Sequence, residues 1–193
     1  NLITFLNVFS VSAVVCSLGS RFVYPQLSME GQGFWILGLA PTSMKRILLC
    51  KFGLASAWAL TISVALILLS SMMLGAEPML RIVSVAVTGC VAIAVASFST
   101  GLGAIFIDLR QRNPAAIVGG FGGTLNLVFG LAFMLLTILP FAVALHLYHS
   151  AFVGPEALMP MMWGCGVWLI ALTAVSSTVV LSLGLKSLEG REY

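Results

Sequence analysis

RFVYPQLSMEGQGFWILGLAPTSMKRILLCK, residues 21–51, lies between two long apolar runs, and its reading decides the fold. It holds four of the nine Lys and Arg residues (Arg21, Lys45, Arg46, Lys51) and one of the six acids, Glu30. Its middle is too apolar for an ordinary solvated loop, because Phe34, Trp35, Ile36, Leu37 and Leu39 run through it. A segment basic at both ends and oily in the centre, wedged between membrane spans, is expected to lie along a membrane face. Pro25 is expected to stop the preceding span. Ser28 can then cap a short helix with Glu30 in its first turn, where a negative charge suits the helix dipole. Pro41 ends that element, and Thr42 or Ser43 can cap the helix that follows.

The rest of the chain fixes the class. It is 60% hydrophobic and 8% charged, whereas soluble domains carry roughly 25% charged residues. The apolar runs are long and continuous, not alternating as in a membrane β-barrel. The expected fold is therefore all-α, a polytopic helical membrane protein in which each span satisfies its own backbone. Five spans are drawn, over about 2–19, 52–74, 82–107, 117–147 and 161–185, with the interfacial segment 21–51 after the first. Pro140 should kink the fourth span or end its regular helix. The whole reads as one transmembrane domain. The chain opens at Asn1 inside an apolar run, so an upstream part is expected.

Alternating the connections places Arg21, Lys45, Arg46, Lys51, Arg110, Arg112, Lys186 and Arg191 on one side and Arg81 on the other. Basic residues favour the cytoplasmic side. The 21–51 segment and the C-terminus are thus expected in the cytoplasm, and the start of the chain outside. The net charge of +3 is too small to imply nucleic-acid binding.

A search for chemistry returns little. No GxxxxGK[ST] phosphate loop is present, so the chain is not expected to hydrolyse ATP unaided or to act as an enzyme. Cys16, Cys50, Cys90 and Cys165 have no paired spacing and read as small packing residues. His146 and His149 could share a helical face as metal ligands, but no third ligand is evident beyond Glu156, and polar residues at a helix end are the favoured reading; no metal site is expected. Asp108 is the only Asp, and intramembrane serines such as Ser70, Ser71, Ser97, Ser99, Ser176 and Ser177 most often bond to their own or a neighbouring helix. The spans carry almost no ionisable residue, which counts against a proton-coupled transporter. The cluster Gly119, Gly120, Gly122 and Gly123 at the head of the fourth span reads either as a hinge or re-entrant turn or as close helix packing. Asn126, a turn deeper, reads as interhelical glue.

The order of Glu30-Gly31, Phe34-Trp35-x-Leu37, Ala40-Pro41-x-Ser43, Ile47-Leu48 and Lys51 resembles the coupling segment of ABC exporter permeases of the type-2 export class. Asp108-Leu-Arg-Gln-Arg-Asn-Pro114, followed by the glycine cluster, is similar to a subgroup of bacterial ABC exporter permeases. The resemblance implies six spans in the family, of which this chain matches the second to the sixth. It implies an inner-membrane subunit that pairs with a separate ATP-binding cassette ATPase and with a second copy or a related half. ATP and Mg²⁺ would be bound by the partner, with no cofactor of the chain's own. Glu30, Gly31, Phe34, Trp35, Ser43 and Lys51 would dock that ATPase, and Glu30→Ala would uncouple hydrolysis from export while leaving the fold intact. A scaffold or assembly protein that recruits a cytoplasmic partner through the same arm is the alternative.

Overall fold

The computed structural model describes residues 2–33, 43–150 and 154–190. The described residues form six α-helices: α1 (Leu2–Leu18), α2 (Met44–Met73), α3 (Pro78–Ile105), α4 (Pro114–Gly119), α5 (Phe121–His149) and α6 (Pro155–Glu189). Among the described residues there is no strand, and five helical stretches are long and apolar enough to cross a membrane. The expected all-α, five-span class is therefore the observed one.

The boundaries differ in instructive ways. The second, third and fifth spans begin several residues earlier than expected, at Met44, Pro78 and Pro155. At Pro78 and Pro155 the missing N–H falls in the first turn, where no helical partner exists anyway. The largest correction is at Pro25, which does not end the first span. The chain passes from α1 into a π-helical turn, Gly19–Val23, then a 3-10 turn, Tyr24–Gln26, and another, Ser28–Gly33. A proline ring would meet the carbonyl four residues back in an α-helix. Here the Tyr24 N–H bonds instead to the carbonyl of Gly19, five residues back. The widened turn brings Pro25 into the path without ending it. Val23, Tyr24, Pro25, Leu27 and Ser28 are buried as a result. The first third of the expected arm is thus folded into the bundle.

The expected fourth span is broken at its start. Asn113 caps α4, its Oδ1 accepting from the Ala115 N–H at 3.0 Å, with Pro114 in the first turn. Gly120 then adopts an extended conformation (φ −73°, ψ 174°) and α5 restarts at Phe121. Pro140, by contrast, does not end the helix; α5 runs through it to His149. Between α2 and α3 the chain reverses at Gly75, whose φ of 61° is left-handed. The Gly75 N–H bonds to Met72 O and the Ala76 N–H to Ser71 O, which satisfies two carbonyls at the end of α2.

α3 is the hub. It touches α1, α2, α5 and α6 and is buried along most of its length. Its buried positions are largely small: Gly89, Ala92, Ala94, Ala96, Ser97, Ser99, Gly101, Gly103 and Ala104. Inside lipid, apolar surface alone does not drive helices together, so close backbone approach and dispersion must. A Cβ on Gly101 would lie 2.7 Å from the Val180 carbonyl oxygen, and one on Gly184 would lie 2.9 Å from the Gly101 carbonyl oxygen. α3 and α6 therefore meet backbone to backbone.

That contact makes a direct test. Gly101→Leu should cost about 1–3 kcal/mol or more through overpacking against backbone that cannot retreat. It should lower the unfolding temperature in detergent and the monodisperse fraction on size exclusion. Gly53→Leu, on an α2 position with nothing within 4 Å of a new Cβ, should leave both nearly unchanged.

Candidate functional site

The end of α1, the start of α2, the end of α3, the start of α5 and the end of α6 share one end of the bundle. Leu27, Leu48, Ala104, Ile107 and Leu188 form a buried cluster there, joined by Met44, Leu109 and Leu185. Among the described residues every Lys and Arg except Arg81 sits at or within about two turns of this basic end. Arg81, at the other end, donates from Nη2 to the Ala76 carbonyl at 3.2 Å.

The segment after α1 is clamped into this end at three points. Glu30 forms an ion pair with Lys51, just under one turn beyond Leu48 along α2. The pair is largely shielded, the side chains keeping 26% and 15% of their exposure, and the second carboxylate oxygen of Glu30 is buried with no partner among the described residues. Ser28, itself buried, accepts a hydrogen bond from the Asp108 N–H at 3.1 Å, which ties the segment to the exit of α3. Asp108 in turn accepts from the Arg110 and Gln111 N–H groups, fixing the turn 108–111. Tyr24 supplies the third clamp: a Cβ on Gly103 would lie 2.5 Å from its carbonyl oxygen, and its hydroxyl packs against Gly122.

The expected docking residues fall in different places. Glu30 and Lys51 are brought together, with each other. Gly31 follows in a left-handed conformation (φ 53°) and redirects the chain. Ser43 stands exposed at the N-cap of α2; its side chain makes no capping bond, while its carbonyl accepts from the Arg46 and Ile47 N–H groups. Phe34, Trp35, Pro41 and Thr42 lie outside the described residues. The glycine cluster divides its labour. Gly120 breaks the helix, Gly119 has open space around it, Gly122 packs against Tyr24 and Phe106, and Gly123 packs against the carbonyl of Val118. The cluster thus holds a helix break at Gly120 and a close side-chain contact at Gly122. Asn126 is glue: its Nδ2 donates to Ser99 Oγ at 3.1 Å across α3 and α5. Ser71, Ser97 and Ser176 bond to their own helix carbonyls, and Ser70 donates to Asn7 Oδ1 at 2.6 Å. Among the described residues no three His, Cys, Asp or Glu side chains are grouped to hold a metal; the His149 side chain is outside them.

Sequence reasoning put Tyr24, Ser28 and Asp108 at this end but missed the contacts they make, because each acts through a partner far along the chain. It also missed Trp168. Pro140 has no N–H to give to the Leu136 carbonyl four residues back. The Trp168 indole N–H on α6 donates to that carbonyl at 3.3 Å. The Pro140 signal was readable; which neighbour would answer it was not.

The Glu30–Lys51 pair can be weighed by a double-mutant cycle in detergent. Glu30→Gln or Lys51→Met alone should cost about 1–3 kcal/mol, because each leaves a shielded charge without its counterpart. The double variant should cost clearly less than the sum. Strict additivity would mean that the pair does not hold the segment.

A family model described as Putative ATP-binding cassette matches residues 1–191. No curated protein and no solved structure matches. The description names a nucleotide-binding module, while this chain carries five membrane-length helices and no phosphate-loop sequence. With almost its whole length matched, the chain belongs to this ABC-related family.

Proposed function

We propose that the chain is the membrane-spanning permease subunit of an ATP-driven exporter, and that its basic end receives a separate ATPase subunit. The observation that carries this reading is the pairing of an ABC-related family match over 1–191 with a bundle of five membrane-length helices. Nucleotide chemistry, with ATP and Mg²⁺, then belongs to the partner. The one-sided distribution of Lys and Arg supports a cytoplasmic basic end, with the start of α1 on the far side of a bacterial inner membrane. A second permease copy or a related half would complete the transport route.

The local geometry supports a way to transmit force. A partner that moves the 21–51 segment pulls on α2 through Glu30 and Lys51, on the exit of α3 through Ser28 and Asp108, and on α6 through the Leu27–Leu188 cluster. Closure of two ATPases would shift these helix ends together, a rigid-body route to opening and closing a path. Glu30 serves that reading as a link between the segment and α2, and a purely structural arm, as in a scaffold, would use it in the same way.

Co-expression decides between them. The full-length protein, co-expressed with candidate ATPase subunits, should retain one of them and raise its ATP turnover in proteoliposomes. Glu30→Ala should retain the ATPase yet lose the stimulation. Retention of no ATPase, with no stimulation by any, would sink the permease reading and favour the scaffold.

A further inference from the structure

A groove of about 530 Å³ runs between α5 and α6 in the half of the bundle away from the basic end. Leu136, Leu139, Pro140 and Val143 line it from α5, and Met161, Gly164, Cys165 and Trp168 from α6. Leu136, Leu139 and Val143 are each about half exposed on this face, so the groove opens sideways from the bundle. Both helices are of membrane-spanning length and composition here, which leaves hydrocarbon as the surrounding medium.

The groove is apolar apart from one matched pair. Pro140 leaves the Leu136 carbonyl without its helical donor, and the Trp168 indole N–H occupies it at 3.3 Å. Each group has a strong reason to stay hydrogen-bonded in lipid, since neither can turn to water. Yet their bond crosses between two helices and lies beside an open groove, and Trp168 is 47% exposed. A hydroxyl is both donor and acceptor. Placed between the two, it can donate to Leu136 O and accept from Trp168 Nε1, so that no polar group is left unpaired.

We propose that the α5–α6 groove is a lateral binding site for a single-chain amphiphile entering from the membrane, its alkyl chain along Leu139, Val143 and Met161 and its hydroxyl inserted between Trp168 and Leu136. Trp168 is the specificity-determining residue, and the interruption at Pro140 is what creates its acceptor. The site is read from this seam alone and stands independently of whether an ATPase binds the other end.

The test uses the full-length protein in proteoliposomes with two photoactivatable probes of equal chain length, a diazirine-bearing long-chain alcohol and the corresponding hydrocarbon, with crosslinks mapped by mass spectrometry. The alcohol should label Val143, Met161 and Cys165 about 2- to 12-fold more than the hydrocarbon does, the range a neutral hydrogen bond supports. Trp168→Phe, which keeps the ring and removes the donor, should erase that preference. Gly164→Phe should fill the groove and suppress labelling by both probes; a Cβ there meets nothing within 4 Å, and Gly164→Leu serves as the smaller filler. Labelling at Leu54 and Leu69, exposed on α2, should change in none of these variants. Two outcomes overturn the proposal: labelling spread evenly over exposed apolar positions and indifferent to Gly164→Phe, which would mean ordinary annular lipid, or groove labelling that does not distinguish alcohol from hydrocarbon.

Discussion

The structure depends on how closely α3 can be approached. A helix in lipid gains nothing from hiding apolar side chains that lipid would solvate equally well, so its neighbours must be held by contact itself. The buried glycines, alanines and serines of α3 lower its surface until other backbones touch it. Val180 and Gly184 of α6 reach Gly101, Tyr24 reaches Gly103, and Gly19 at the end of α1 reaches Val95. Dispersion falls steeply with separation, so a shift of about an ångström forfeits up to about half of each such contact. Asn126 and Ser99 can bond across α3 and α5 only because the backbones are already near.

The second constraint is that every interruption of a helix must be answered. Three interruptions are answered in three ways. At Pro25 the backbone widens into a π turn and keeps its bonds within the chain. At Gly120 the helix stops and restarts, with Gly120 O accepting from both the N–H and the hydroxyl of Thr124. At Pro140 the helix continues and a neighbouring helix supplies the donor through Trp168. The first two stay local and add rigidity where five chain segments converge. The third makes the backbone of α5 depend on the position of α6.

The class of fold was legible because hydrophobic runs of membrane length leave few alternatives, and the Lys and Arg distribution set the alternation of ends before any contact was known. Boundaries were less so. Pro25 and Pro140 carry the same local signal, yet neither ended its helix, because the outcome is set by what can replace the lost bond. Glu30 and Lys51 were singled out as two separate docking groups; nothing in their spacing of 21 positions announces that one neutralises the other. Which glycine of the cluster would break the helix and which would be approached closely was not readable in sequence, since the same absent side chain allows both. Tyr24 and Phe106 pack against Gly122, while the break falls at Gly120.

These constraints make the two ends of the bundle mechanically unequal. At the basic end an ion pair, a side-chain-to-backbone bond and a buried leucine-rich cluster bind the segment after α1 to α2, α3 and α6 together. At the far end α6 is the least buried of the membrane-length helices, flanked by grooves against α5 on one side and α3 on the other. The close contact of Gly101 with Val180 and Gly184 lies toward the basic end and fixes α6 there. In that outer half α6 still reaches the core through Leu169, with Met162, Cys165 and Leu172 packed around it, and it bonds to α5 from Trp168 to the Leu136 carbonyl. The two ends of α6 are thus held by different means, backbone contact with α3 near Gly101 and Gly184 and a side-chain donor at the α5 seam.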